Sequence, residues 1–371
     1  MSKLIAAYIE ITGKCNSKCP YCYNEKLVST GKELPLDRLV DVFQELKAKG
    51  ITDVALSGGE PFLYRQIRKL LDETKRIGIN VAVISNGTCF SEYGLKILSS
   101  YQPNLQITFD GHNAMLHDNT RGNGNFQRIT KGIKAARNAG YHGKISVRFN
   151  IHKSNIEHIA EFLDMISLNY DVDGKDFRDI DSIGMALVHR TEDDLGSFKD
   201  YLASDEYLNY PQIFSQFEEW NEHHSAKITY DFNNPDIGCA YNAPAKDVRC
   251  GIRIALDGNV YPCQMFTDPK FSIGNILQEP LSDIMNGEKL SQFIDLVHSR
   301  RDRIDTCKTC AFKGVCAGGC PAQAYIENGT INSVTARCKS RKQHFGKAFS
   351  AILDEMKRKS PIVEISVNED I

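Results

Sequence analysis

The chain of 371 residues contains no run of 18 apolar residues, so its sequence offers no transmembrane span. Net charge is nearly missing too: 45 Lys and Arg stand against 47 Asp and Glu, leaving −2. That balance argues against a protein whose business is coating nucleic acid or an anionic membrane. The opening MSKLIAAYIEIT has too short an apolar stretch for a secretory signal and reads as a first strand. There is no solenoid-type repeat and no low-complexity tract. Tryptophan occurs once, at Trp220, where helix packing is a simpler role than stacking on a ligand. With 42% hydrophobic and 25% charged residues, a largely disordered chain is excluded, and the length suits two or three domains.

Cysteine is the residue in excess, with twelve. Without an export signal, that many thiols point to metal in a reducing cytoplasm rather than to disulfides. Cys15, Cys19 and Cys22 form one group, eight more lie from Cys239 to Cys338, and Cys89 stands alone as a reduced packing residue. The body between alternates strands and helices. Strands are expected at Leu4–Ile11, Asp53–Leu56, Val81–Ser85, Leu105–Phe109, Ile145–Ile151 and Ile183–Val188. Leu36, Leu39, Val40 and Phe43 mark the buried face of one helix that stops at Gly50. Ile129, Ile133 and Ala136 mark a second before Gly140, and Ile156, Ile159, Phe162 and Ile166 a third. Six such units predict an α/β fold with parallel strands, either an open sheet or a full or partial barrel, its chemistry at the strands' carboxyl ends.

After about residue 190 the character changes. Residues 191–236 are acidic and aromatic, with one helix expected near Gln212–Glu222, and read as a solvated connector or a substrate contact. IALDGNVYP signals a hairpin turning at Asp257-Gly258. Lys339–Lys359 reads as a basic amphipathic helix before a short tail. The expected division is therefore 1–190, 191–236, 237–340 and 341–371.

Cys15, Cys19 and Cys22 follow the first strand as C-x3-C-x2-C in GKCNSKCPYCYN. Three thiolates are one short of a closed zinc site; they suit a [4Fe–4S] cube whose fourth iron takes an outside ligand. A zinc knuckle with a distant fourth ligand is the competing reading. Gly13 and Pro20 help the loop wrap, and Lys14 and Lys18 offset thiolate charge. The motif, with Tyr21 before the third cysteine, resembles the radical S-adenosylmethionine (SAM) superfamily. The resemblance implies that SAM chelates the open iron, and that its reductive cleavage releases a 5′-deoxyadenosyl radical. Ser57-Gly58-Gly59-Glu60-Pro61 resembles the family's GGEP loop, which implies SAM contacts from Gly58, Gly59 and Glu60. ISNGT resembles the TNG segment and implies Ser85 and Asn86 near the cofactor. ITFDGHNAMLHDNTRGNGNF resembles a stretch of the peptide-modifying members and sets Thr108, Asp110 and Arg121 at the barrel mouth. In ISVRFNI, strand alternation aims Arg148 at the SAM carboxylate, with Asn150 on the same face.

The second cysteine group contains CKTCAFKGVCAGGC, preceded by CGIRIALDGNVYPC and followed by Cys338. A zinc ribbon is the plain alternative. The seven-cysteine order and the FSIGNI segment resemble the SPASM domain attached to many radical SAM enzymes. The resemblance implies two auxiliary [4Fe–4S] clusters, the first on Cys239, Cys250, Cys263 and Cys320, the second on Cys307, Cys310, Cys316 and Cys338. Ten residues separate Cys239 from Cys250, wider than the pattern expects; without Cys239 the first auxiliary cluster would keep an open iron. The fold so implied is a partial (β/α)6 barrel with a C-terminal cysteine-rich SPASM domain of a small hairpin plus helices.

SPASM enzymes mostly modify ribosomally made peptides, which implies a maturase that oxidises, and in particular crosslinks, a precursor peptide. Sulfatase maturases of the family place a basic Asp where this chain has Gln264, so serine or cysteine oxidation is disfavoured. Only three residues precede the first strand, so a leader-binding module is expected on a separate protein or not at all. No flavin or nicotinamide motif is seen, which implies an external flavodoxin or ferredoxin as reductant, in an anoxic cytoplasm. Oxidation of a small molecule in cofactor or tetrapyrrole biosynthesis is the second reading, and a non-catalytic iron–sulfur or zinc scaffold the third.

Overall fold

The computed structural model describes residues 3–28, 30–167, 180–188, 216, 219, 230–231, 249–339, 341–343, 345–346 and 349–350. Cys239, Trp220, nearly all of 191–236 and most of the helix expected over 339–359 lie outside them. Strands β1 (Lys3–Thr12), β2 (Asp53–Gly58), β3 (Asn80–Ser85), β4 (Asn104–Phe109), β5 (Ile145–Ile151) and β6 (Ser182–Leu187) fall where the β-branched runs place them. Among the described residues they pair in parallel in that order, and β7 (Tyr230–Asp231) adds in parallel to β6.

Between them run α1 (Glu25–Val28), α2 (Leu36–Ala48), α3 (Ile67–Ile77), α4 (Glu92–Tyr101), α5 (Ala114–Arg121), α6 (Asn125–Asn138) and α7 (Ile159–Ser167). Helix α2 buries Leu39, Val42, Phe43 and Leu46, whereas Val40 is only half-buried. The face expected from the sequence is thus rotated by a fraction of a turn, because Val42 and Leu46 complete the i, i+3, i+4, i+7 set starting from Leu39. Gly78 ends α3 in the left-handed conformation, φ 82°.

The sheet is open rather than closed. The edge of β1 that closure would need is taken by β8 (Arg249–Ile254), so Ala7 stands between Val54 of β2 and Ile252 of β8. Strand β8 turns at Gly258, φ 85°, into β9 (Asn259–Tyr261), which pairs antiparallel with β10 (Gly274–Asn275). The expected hairpin is therefore present, and its first strand extends the sheet of the six βα units. Arg38 of α2 strengthens the join by donating to the carbonyls of Ile276 and, at 3.0 Å, Glu279. Glu45 accepts from the Ser282 amide at 2.6 Å.

Strand β5 shows which face is which. Ile145, Val147, Phe149 and Ile151 are buried and alternate with half-buried Ser146, Arg148 and Asn150. Phe149 stacks on Phe162 of α7 with ring centroids 4.1 Å apart, so the apolar set faces the helices and the polar set the inner, concave side. Burial of each such ring contributes roughly 2–3 kcal/mol.

Candidate active site

Cys15, Cys19 and Cys22 lie on the loop that leaves β1, where the carboxyl ends of β2, β3 and β4 surround it. The register of β1 against β2 ends with Thr12 opposite Gly58. The Gly59 amide donates to Thr12 O and the Glu60 amide to Lys14 O, both at 2.7 Å. A Cβ at Gly58, whose φ is 120°, would lie 2.3 Å from Thr12 O, and one at Gly59 2.2 Å from Lys14 O. Two glycines are therefore obligatory for the close approach of the Gly-Gly-Glu loop to the cysteine loop.

Glu60 has no exposed surface. Its carboxylate accepts from Ser85 Oγ at 2.9 Å, the Asn86 amide at 2.8 Å and the Phe62 amide at 3.3 Å. Burial pushes its pKa up to about 7 against the lowering effect of these donors. The side chain thus braces the ends of β2 and β3, and the backbone of Gly58–Glu60 is what the loop presents beside the cysteines. Asn86 donates to Asn16 Oδ1 at 2.8 Å and to Ser17 Oγ at 3.3 Å, with Cys15 Sγ 4.0 Å away. Asn16 in turn donates to Thr88 Oγ1 at 2.8 Å and reaches the Cys89 sulfur at 3.7 Å.

The far wall of the loop is an ion pair. Arg121 Nε donates to Asp110 Oδ2 at 2.5 Å and Nη1 to Cys19 Sγ at 3.4 Å. Its guanidinium lies 5.3 Å from the centroid of the Tyr21 ring, whose hydroxyl donates to Asp110 Oδ2. Thr120 Oγ1 donates to the same oxygen at 2.7 Å. Burial would raise the Asp110 pKa, but Arg121 overrides it and holds the carboxyl at about 2. Arg121 therefore touches a cysteine sulfur directly. Thr108 and Arg148 are register partners on β4 and β5, and Gly184 of β6 lies opposite Arg148. Lys14 spends its charge on Glu33, 3.2 Å away, rather than on the thiols, which corrects the reading from sequence.

The inner face also holds a buried ion pair. Glu10 and Arg253 are both buried and meet at 2.7 Å, the guanidinium donating also to Phe266 O at 2.9 Å and Asn24 Oδ1 at 3.0 Å. Tyr8, hydrogen-bonded to Tyr23 and to Ser57 Oγ, lies beside them. The period-two run Tyr8, Glu10, Thr12 on an otherwise apolar strand was the available signal.

In the C-terminal region Cys307, Cys310, Cys316 and Cys338 line one pocket with Phe312, Lys313 and Phe345. Burial raises the Cys307 thiol pKa, and charge on Cys316, Cys338 and Cys310 adds to it. Cys263 is pushed up to about 12 by burial and then by Cys320. Cys22 is pushed up to about 12 by burial, then by Cys19 and Cys15. Apart from Cys89, the described thiols thus gather in three sets. Of Cys250 only the backbone is described, in β8 opposite Leu4. Three thiols on the first loop match a [4Fe–4S] cube with one open iron, and four around the C-terminal pocket match a closed one, so the donor sets fit clusters.

The family model of the Radical SAM superfamily matches residues 9–166, and that of the SPASM iron-sulfur cluster-binding domain matches residues 247–311. The chain is a radical SAM protein with a SPASM domain. Such domains bind [4Fe–4S] clusters and SAM. The radical SAM/SPASM chain is 25% identical over 323 residues to the subtilosin biosynthesis protein AlbA of Bacillus subtilis, covering 85% of itself and 66% of that protein. With the PqqA peptide cyclase of Bradyrhizobium diazoefficiens it shares 24% over 345 residues, 90% of itself and 86% of the cyclase. In fold it is similar to Streptococcus suis SuiB bound to S-adenosylmethionine, with TM-score 0.69, 17% identity and coverage of 90% and 76%. It is also similar to anSMEcpe with bound AdoMet and Cp18Cys peptide, with TM-score 0.73, 18% identity and coverage of 96% and 99%. No helix of the described residues is long and apolar enough to cross a membrane.

Proposed function

We propose that this radical SAM/SPASM enzyme oxidatively modifies, and in particular crosslinks, a ribosomally made precursor peptide. The observation that carries the reading is the three-thiol loop Cys15–Cys22, with Gly58–Glu60 and Asn86 on one wall and Arg121 with Asp110 on the other. When bound, a [4Fe–4S] cluster with SAM on its open iron supplies a carbon-centred radical able to abstract a substrate hydrogen. Cys15, Cys19 and Cys22 hold the cluster in this reading, and Arg121 donates a hydrogen bond to the Cys19 sulfur. The carbonyls of Gly58 and Gly59 receive the SAM ammonium, with Glu60 and Ser85 fixing that loop from beneath. Arg148, on the inner face with Thr108, receives the carboxylate, and Tyr21 and Asn86 border the cofactor.

Cys263 and Cys320, with Cys239 and Cys250, hold one auxiliary cluster, and the Cys307, Cys310, Cys316 and Cys338 pocket a second. The peptide substrate is supported by the names of the relatives: a peptide cyclase, a subtilosin biosynthesis protein, and SuiB, which has been solved with its precursor peptide SuiA. A flavodoxin or ferredoxin reductant, a separate leader-binding protein, a cytoplasmic site of action and a division at 190, 236 and 340 complete the proposal. The test is anaerobic reconstitution with a peptide encoded beside the gene. Formation of 5′-deoxyadenosine with a two-hydrogen mass loss on the peptide supports it. No 5′-deoxyadenosine from a sample loaded with about twelve irons per chain refutes it.

A further inference from the structure

Cys316 and Cys320 belong to different cysteine sets, and the three residues between them form an unusual turn. Ala317, Gly318 and Gly319 have φ values of 45°, 83° and 81°, all left-handed. For the alanine, which carries a Cβ, this conformation is strained. Each of the three carbonyls accepts from a buried guanidinium. Arg300 Nη1 donates to Ala317 O at 3.3 Å and Gly319 O at 2.9 Å, and Arg341 Nη2 donates to Gly318 O at 3.3 Å. Arg300 Nη2 is further fixed on Ser333 O at 3.1 Å, and Arg341 Nη1 on Thr335 Oγ1 at 2.6 Å. Both side chains are 0% exposed.

Arg300 also lies beside a thiol, and Arg341 lies against Gly319, the residue before Cys320. A Cβ at Gly318 would stand 3.5 Å from Arg300 Nη2 and 3.7 Å from Cys307 Sγ, so cation and sulfur flank the same glycine. A Cβ at Gly319 would fall 2.5 Å from Arg341 Cζ, which leaves glycine as the residue the guanidinium permits there. A guanidinium does not lose its proton in a protein, so the charges are permanent. Away from solvent, salt screens them little.

We propose that Arg300 and Arg341 are positioning residues that raise the reduction potential of the cluster held by Cys307, Cys310, Cys316 and Cys338. The inference rests on the ligand set assigned above. Reduction adds one electron, hence one negative charge, which a fixed buried cation favours. The electron comes from the product radical or from a one-electron carrier of the flavodoxin or ferredoxin class, and no proton transfer is needed.

The experiment is an EPR-monitored redox titration of the full chain, reconstituted anaerobically, with iron and sulfide measured on each sample. In Arg300→Gln or Arg341→Gln the reduced-to-oxidised ratio at a fixed potential is expected to fall about tenfold, a midpoint about 59 mV lower for one electron. Arg300→Lys and Arg341→Lys keep the charge and are expected to stay within about threefold of the parent. Unshifted Gln variants with full iron overturn the proposal, as do Lys and Gln variants that shift equally. The parent chain gives a check that needs no arginine variant to fold. Its signal that disappears in Cys316→Ser is expected to reduce at a higher potential than the one lost in Cys15→Ala; the reverse order overturns the proposal. Failure of the ligand assignment reads differently, as Cys307→Ser and Cys316→Ser samples that keep the parent's iron and every signal.

Discussion

The two cysteine-rich regions solve different problems with the same donor. Around Cys15, Cys19 and Cys22 the walls are side chains with hydrogen-bonding capacity, drawn from β2, β3, β4 and α5, and the thiols number three. Around Cys307, Cys310, Cys316 and Cys338 the thiols number four, and the nearby guanidiniums are bonded to backbone carbonyls. The first arrangement suits a metal that must take a ligand from outside. The second suits one that exchanges only electrons. What separates them is the donor count together with what the surrounding polar groups are already bonded to.

The largest effect should come from breaking the first region alone. Cys15→Ala, Cys19→Ala or Cys22→Ala is expected to reduce 5′-deoxyadenosine formation to background while sparing about eight of about twelve irons, checked by iron analysis and chromatography. Loss of all iron together would show that the regions are not independent. Next comes the bond that joins them. Arg253→Met strands Glu10 without its counter-ion and should cost about 3–5 kcal/mol in denaturant stability, part of which Glu10→Gln in the same chain restores.

A third prediction concerns pH. His117 is buried, accepts from the Asp110 amide through Nδ1 at 3.2 Å, and among the described residues has no hydrogen-bond partner at Nε2. Burial lowers its pKa to about 4. The folded state therefore binds this proton less well than the unfolded chain. The stabilisation is complete above the unfolded value of about 6.5 and is lost as pH falls toward 4, to a total of about 3 kcal/mol. His117→Asn is expected to flatten that part of the profile in pH-dependent denaturant titrations; an unchanged slope contradicts it. The smallest effect is expected at Glu60. Glu60→Gln turns an amide NH2 against the Asn86 or Phe62 amide, and SAM affinity measured by calorimetry should weaken about 10–100-fold. Unaltered affinity would show that the brace is dispensable to the Gly58–Glu60 backbone.

Local signals carried far in this chain. All six strands stand within a residue or two of their β-branched runs, because a buried parallel strand needs those side chains whatever surrounds it. The Asp257-Gly258 turn was readable for a similar reason, since its positive φ is a property of the residue. The polar run Tyr8, Glu10, Thr12 marked Glu10, but its pairing with Arg253 was not readable, as 243 residues separate the partners. Nor were Arg300 and Arg341, whose acceptors are backbone carbonyls that every residue carries. The helical periodicity of α2 located the helix but misplaced Val40, because the moment of a short helix tolerates a small rotation.

The sequence by itself determined the α/β order and which thiols travel together, since strand propensity and ligand spacing are short-range covalent facts. Whether the six βα units closed into a ring was left to the tertiary structure. A strand from the cysteine-rich region occupies the edge of β1, and one edge can satisfy only one neighbour's hydrogen bonds. The tertiary structure also decided where the buried charges find their partners, because pairing inside a protein depends on distance in space, which loop spacing does not encode.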